Sequence, residues 1–341
     1  MTIEKGKEVK KLRIIGIEEH YQPQMMGPIR MEWAEKTKRP EMMDMDLMIK
    51  NVFPRLASPV EAFRLPEMDA FGMDMQVLSS GSPSVQAIDD PAEAVRIARE
   101  SNDFLAEAVH KYPDRFQAFA ALPLADPKGA AEELERCVKE LGFCGAIVQG
   151  HQYFHYLDEE IYYPLWEKVC ELNVPVSLHV IDTLPEGMLM LNGCEELCGP
   201  IWTWNMEAAT HVMRLIINGI FDRFPKAQFI AGHMGEGLPY YLGRMDEGYE
   251  TGRAHITKTL KKTPSEYFKS NIYITTSGKY HPAAMRCAID SVGADRIFFA
   301  TDYPFVSLED SFACFNACKD LTEEEKELIC HKNAERVLGI K

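Results

Sequence analysis

Eight short apolar runs constrain the fold of this chain more than any other feature. Each is followed by Gly, Pro, Ser or Asp and then by a helical pattern. The runs are Leu12–Ile17, Met75–Ser80, Gln117–Leu122, Cys144–Gln149, Pro175–His179, Gln228–Gly232, Asn271–Thr276 and Arg296–Thr301. They are nearly continuous in apolar residues rather than alternating, which is how strands buried on both faces read. Between them lie amphipathic segments. Pro91–Tyr112 follows a capping Asp89-Asp90 pair, and Asp126-Pro127 opens a second helix that runs to Leu141 and stops at Gly142. Ile161–Leu172, Glu207–Phe224, Pro264–Phe268, Pro282–Val292 and Ser307–Lys319 supply further crossovers. Strand–helix alternation repeated eight times predicts an α/β fold of the (β/α)8 TIM-barrel type rather than an open doubly wound sheet.

Two connections exceed a simple crossover: Tyr21–Asp74 after the first strand and Ile181–Asn205 after the fifth. Both leave strand ends that carry polar residues, so they are expected to form pocket walls, lids or subunit contacts. Nothing in the 341 residues reads as a linker or internal repeat. The expectation is one domain over residues 1–341, with an N-terminal extension at 1–11 and a docking helix at 322–341.

Composition narrows the function. A net charge of −15 argues against a general affinity for nucleic acid or anionic membranes. No apolar run is long enough to span a bilayer, and the acid-containing start MTIEKGKEVKKLRIIGIEEH is not a secretory signal. Nine scattered cysteines lack a disulfide framework. The spaced pairs Cys194/Cys198 and Cys314/Cys318 suit reduced thiols better than metal ligation, and a reducing cytoplasm is expected. No phosphate-binding glycine loop is present, since the G-x-G of GHMGEGL lacks its strand–helix context.

Chemistry-bearing residues fall at the ends of the runs. Parallel barrel strands gather their C-termini at one mouth, so residues distant in sequence converge there. Glu18 and His20 are spaced to share one strand face, with Glu19 turned away. His179 ends the fifth run, across the barrel, and Asp302 ends the eighth, beside the first. Two imidazoles and two carboxylates suit one divalent ion, Zn²⁺ or Mn²⁺, and leave coordination positions open; the carboxylates tilt the choice toward Mn²⁺. Taken singly, each residue has a plainer role as a hydrogen-bonded core histidine, turn former or ion-pair partner. Four at barrel-end positions are not independent accidents.

His233 lies in GHMGEGLPYYLGR with Glu236 three residues on. If a helix starts there, the two share a face and the carboxylate orients the imidazole. His233 is then either another metal ligand or an acid–base group beside the ion. Arg244 could take a substrate carboxylate in a bidentate fork, or pair at the surface with Asp246 or Glu247. His151, His155, His211 and His281 are read as pocket lining or structure.

The motifs IEEH, ALPLADPKGAAEELERCVKELGFCGA, ATHVMRLIINGIFDRFP, GHMGEGLPY, TTSG, DRIFFATDYPF and NAERVLGI resemble the amidohydrolase superfamily. Within it they are similar to the metal-dependent non-oxidative decarboxylases of hydroxybenzoic acids, of the γ-resorcylate, 2,3-dihydroxybenzoate and 5-carboxyvanillate type. Glu18 stands where hydrolytic members carry the first His of H-x-H, and no Lys ends the fourth strand to bridge a second metal. The resemblance implies Glu18, His20, His179 and Asp302 as ligands of one metal ion, with no organic cofactor. It implies Asp302, His233 and Glu236 as catalytic residues, with Asp302 the proton donor, and Arg244 near the substrate. It further implies a small aromatic carboxylic acid with an ortho hydroxyl as substrate, and a homodimer or homotetramer. Gln149-Gly150 and His179-Val180 depart from the Asn-Gly and His-Pro common in relatives. A metal-dependent hydrolase of a lactone, amide or ester would use the same residues and is the main alternative.

Overall fold

The computed structural model describes residues 11–37, 46, 48–181, 187, 189–252 and 254–341. Positions 1–10 of the expected N-terminal extension, and parts of both long connections, lie outside the described residues. Eight parallel strands pair in sequence order: β1 Ile15–His20, β2 Met75–Ser79, β3 Phe116–Ala121, β4 Gly145–Gln149, β5 Val176–His179, β6 Phe229–Ala231, β7 Ile272–Thr275 and β8 Ile297–Phe298. All eight expected runs form strands. The eighth is shorter than expected because residues 299–303 bend to run along β1. There Ile17 N donates to Phe299 O at 3.1 Å, Asp302 N donates to Glu18 O at 3.0 Å, and Glu19 bridges Tyr303. Those bonds join the last strand to the first. The fold is a (β/α)8 barrel.

Side-chain packing explains the nearly continuous apolar runs. Ile15, Ile17, Val77, Phe119, Ile230 and Phe298 fill the barrel interior, and Leu338 and Ile340 of the C-terminal segment close its base. The alternate strand residues, among them Leu78, Ala120, Val148, Leu178 and Ile274, pack outward against the helices. Each strand therefore buries both faces. Helix starts follow local chemistry. The Asp90 carboxylate accepts from Glu93 N at 2.8 Å, and Asp126 accepts from Gly129 N at 3.0 Å; each cap is worth about 1 kcal/mol. Thr322 and Glu325 form a capping box at the start of the last helical segment. The segment expected as one helix over Glu207–Phe224 starts earlier, at Thr203, and divides at Gly219, whose φ of +75° suits glycine.

Strand β1 departs from simple alternation. Gly16 lies opposite Gln76 and Glu19 opposite Leu78, so two residues, Ile17 and Glu18, face Val77 alone across a β-bulge. The bulge lets Ile17 fill the barrel while the next residue, Glu18, also turns inward with His20. A Cβ on Gly16 would sit 2.4 Å from Glu19 Oε1, so glycine is needed where the bulge folds Glu19 back.

Candidate metal centre and active site

Glu18, His20, His179 and Asp302 converge at the C-terminal mouth of the barrel, with one ligand atom of each within 4.8 Å of the others. His20 Nε2 is 3.2 Å from Asp302 Oδ1. His179 Nε2 is 3.8 Å from Glu18 Oε1 and 3.7 Å from Asp302 Oδ1. Donors about 2.1 Å from a shared ion lie roughly 3.0–3.4 Å apart in octahedral or tetrahedral arrangements, close to this spacing. Glu18 Oε1 and both ring nitrogens of His179 are buried with no hydrogen-bond partner among the described residues. Orphaned polar atoms facing one another at this range fit a divalent cation.

Neighbouring groups orient the ligands. Thr275 Oγ1 donates to Glu18 Oε2 at 2.8 Å and shares a 2.8 Å bond with Ser277 Oγ, while His233 N donates to Ser277 Oγ at 2.9 Å. Ser79 Oγ lies 3.3 Å from His20 Nδ1. Gly232 leaves room for Glu18, whose Oε1 would sit 3.1 Å from an added Cβ. Glu19, expected to point away from the site, does leave the barrel axis but is fully buried, and burial raises its carboxyl pKa to about 8.

His233 stands at the edge of the cluster. Its Nε2 is 3.7 Å from Glu18 Oε1 and 3.8 Å from Asp302 Oδ2, and its Nδ1 is 2.9 Å from Glu236 Oε1. The pairing expected from the three-residue spacing forms, but not on a helix. His233, Met234 and Glu236 have φ of +44°, +58° and +53°, and the helix begins only at Leu238. Asp302 shares this left-handed backbone at φ +66°. Non-glycine residues there cost roughly 1–3 kcal/mol each and cluster at functional sites.

Protonation follows the same geometry. Burial opposes a charge on His233, yet the carboxylates of Glu18, Glu236 and Asp302 hold its pKa well above the usual histidine value. Burial would raise Asp302, but the imidazoles of His179, His20 and His233 facing it hold it well below the carboxylate range. His179 goes the other way: desolvation, then the nearby His20, lowers its pKa. A neutral His179 and an ionised Asp302 are the forms that ligate metals.

A cavity of about 750 Å³ opens beside the cluster. His233, Glu236 and Asp302 line its floor, and Trp202, Trp204 and Tyr241 are in its walls. The second long connection thus does supply pocket wall, through its tryptophans. His281 lines the cavity and accepts from Ala283 N at 3.1 Å, capping the helix Pro282–Val292. His151 stacks on Phe154, and His155 is exposed and 2.8 Å from Glu159; neither lines the cavity. Arg244 points outward with 76% of its side chain exposed and bonds Glu247 at 2.7 Å, so no carboxylate fork forms within this chain. Reading the sequence missed Thr275 and Ser277 as orienting groups, although TTSG stood out as a motif.

The Amidohydro_2 family model, described as amidohydrolase, matches residues 57–340. This chain belongs to that amidohydrolase family. The amidohydrolase is 42% identical over 287 residues to a gamma-resorcylate decarboxylase from Rhizobium sp. (strain MTP-10005), covering 82% of this chain and 88% of that protein. It superposes with a TM-score of 0.88 and 38% identity on 2,6-dihydroxybenzoate decarboxylase complexed with 2,6-dihydroxybenzoate, covering 96% of this chain and 99% of the other. A dihydroxybenzoic acid decarboxylase from Polaromonas sp. JS666, with bound manganese and the inhibitor 2-nitroresorcinol, matches at 0.87 and 37%, covering 96% and 97%. These relatives support a decarboxylase within the amidohydrolase superfamily. No helix among its described residues is long and apolar enough to cross a membrane.

Proposed function

We propose that this amidohydrolase is a metal-dependent, non-oxidative decarboxylase of an ortho-hydroxylated aromatic carboxylic acid of the resorcylate type. The observation that carries the reading is the convergence of two imidazoles and two carboxylates beside an acid–base pair, His233–Glu236, on the floor of an aromatic-walled cavity. Manganese is the ion we favour: two carboxylates are hard donors, and the Polaromonas relative holds it. Zinc fits the same donors. Glu18, His20, His179 and Asp302 would hold such an ion, which would supply a Lewis-acidic charge to the oxygens of the bound acid.

The difficulty in the reaction is electronic. The electron pair of the departing C–C bond lies in an sp² orbital orthogonal to the ring π system. Protonating the carboxylate-bearing carbon first removes that obstacle, because the breaking bond then feeds its electrons back into the ring as CO₂ leaves. Asp302 is assigned the proton donor. Its carboxyl must carry a proton for that step, and His233, whose Nε2 is 3.8 Å away, is placed to support ionisation of the substrate phenol or to orient the ring. Glu236 fixes the His233 ring through Nδ1, leaving Nε2 toward Asp302 and the substrate. The ring serves as its own electron sink, so no organic cofactor is invoked.

Arg244 is exposed, bonds Glu247 and does not line the cavity of its own chain. We retain it as a substrate contact made to a neighbouring copy in a homodimer or homotetramer, and from the free cysteines we place the enzyme in the cytoplasm. Arg244→Ala should raise KM and leave Mn²⁺ affinity unchanged. The activity itself is tested by loading metal-free protein with Mn²⁺ and following ring absorbance over a panel of hydroxybenzoates and lactones. Turnover of acids with an ortho hydroxyl and silence on isomers without one is expected. Hydrolysis of lactones with the acids untouched would replace the reading with the hydrolase alternative.

A further inference from the structure

A buried cation lies against the outside of strand β1. Arg64, at the start of the helix Arg64–Phe71, is only 2% exposed. Its Nη2 donates to the main-chain carbonyl of His20, and its Nη1 donates to Gln76 Oε1 at 2.7 Å. Its guanidinium lies 4.6 Å from the centroid of Tyr303 and 5.2 Å from that of Tyr21. Gln76 Nε2 donates in turn to Glu19 Oε2 at 3.4 Å. The Glu19 carboxylate accepts from Thr301 N at 2.9 Å and from the Thr301 hydroxyl. Every residue in this group is a metal-ligand candidate or adjoins one, apart from Gln76 and Arg64 itself. His20 ends the bulged strand and Tyr21 follows it, Glu19 separates Glu18 from His20, and Thr301 and Tyr303 flank Asp302.

We propose that Arg64 is a positioning residue for the metal centre, clamping the bulged end of β1 to the turn that carries Asp302 so that His20 and Asp302 are preset for a shared ion. A bulge in a strand and a left-handed turn are both local departures from regular pairing, and neither fixes its own side-chain direction to the roughly 0.5 Å that a site needs. The planar guanidinium supplies what is missing, because donors to two separate acceptors, Gln76 and His20, and two rings within cation–π range define an orientation as well as a position. A lysine at this place offers a point charge and cannot reproduce the fork. The inference rests on the metal-site reading above.

The test titrates Mn²⁺ into the metal-free parent, Arg64→Lys and Gln76→Leu, alongside thermal unfolding of each without metal. Arg64→Lys is expected to unfold within a few degrees of the parent, to bind Mn²⁺ about tenfold more weakly, and to lose kcat with little change in KM. A purely structural arginine would lower the melting temperature and leave the affinity of the folded protein alone. Folded Arg64→Lys with parental Mn²⁺ affinity overturns the proposal. If that variant does not fold, Gln76→Leu decides, since it keeps the cation and removes one acceptor: weaker Mn²⁺ binding supports the clamp, and parental binding overturns it. A parent that itself binds no Mn²⁺ refutes the metal reading, a result separate from any difference between variants.

Discussion

His179 and His211 are both buried near the C-terminal end of the sheet, and desolvation pushes both imidazoles toward the neutral form. Their surroundings then diverge. His179 faces the carboxylates of Glu18 and Asp302 at 3.8 and 3.7 Å, beyond hydrogen-bond range, with His20 edge-on at 4.4 Å between ring centroids. His211 Nε2 accepts from Leu157 N at 3.2 Å, and its ring meets Tyr156 edge-on at 5.0 Å. One histidine has acidic neighbours held just too far away to bond it; the other bonds a main-chain amide through Nε2 and packs on aromatic rings, with its Nδ1 buried and unbonded among the described residues. Burial alone therefore marks neither a ligand nor a core residue. What separates them is whether carboxylates stand across a gap the size of an ion.

The largest effect expected from this contrast is at Asp302. Asp302→Asn keeps the shape of the mouth but removes one of the two carboxylates facing His179 and the assigned proton donor. The turnover number should fall by about 10³-fold, within the range for loss of a general acid, even in protein that retains its metal. A metal-loaded, active Asp302→Asn would remove Asp302 as donor while leaving it a ligand, so metal content is measured on the same sample. Glu236→Gln comes next. It leaves all four candidate ligands in place but weakens the 2.9 Å bond that fixes His233. A loss of about tenfold in kcat, with Mn²⁺ affinity unchanged, is expected from a group that acts through its neighbour. A loss of Mn²⁺ binding instead would move His233 into the ligand set.

Much of the contrast is legible in the residues because barrel topology does the spatial work. Eight apolar runs in order become eight parallel strands in order, so a polar residue ending a run is delivered to the mouth whatever lies between. That is why Glu18, His20, His179 and Asp302 could be grouped across the whole chain. The β1 bulge was not legible. Strict alternation from Ile15 and Ile17 would turn Glu18 and His20 out of the barrel, and only pairing with β2 inserts the extra residue that brings them back. Its one local trace is Gly16. Arg64 was invisible for a similar reason, as it reaches His20 from 44 residues away out of a segment with no periodic signal. The His233–Glu236 spacing led to the right partners by the wrong route, since one run of left-handed residues from His233 to Gly237 brings them together where a helix was expected. For Arg244 the sequence left a substrate fork and a surface pair open, and within one chain the pair with Glu247 forms.

The smallest effect, and the one that tests the other half of the contrast, is a stability slope at His211. Burial, followed by His151 and Arg214, lowers its pKa to about 3, against an ordinary value of 6.5. Above pH 6.5 the imidazole is neutral in both folded and unfolded chains and contributes no pH dependence. Below 6.5 the unfolded chain takes up a proton that the folded chain refuses until about pH 3. Stability from this group is thus lost as pH falls through that window, at about 1.4 kcal/mol per unit. Between pH 7.5 and 5.0 the parent should lose roughly 2 kcal/mol through His211, measured by denaturant unfolding of metal-free protein. His211→Gln keeps an acceptor for Leu157 N but cannot titrate, so its loss over the same interval should be smaller by that amount. Its Mn²⁺ affinity and activity at pH 7.5 should match the parent. Equal losses in the two proteins would mean that His211 is not the group refusing the proton. A fall in Mn²⁺ affinity would mean that the aromatic histidine cluster is part of the metal centre after all, because a closed core residue has no route by which to alter the gap that Glu18, His179 and Asp302 share.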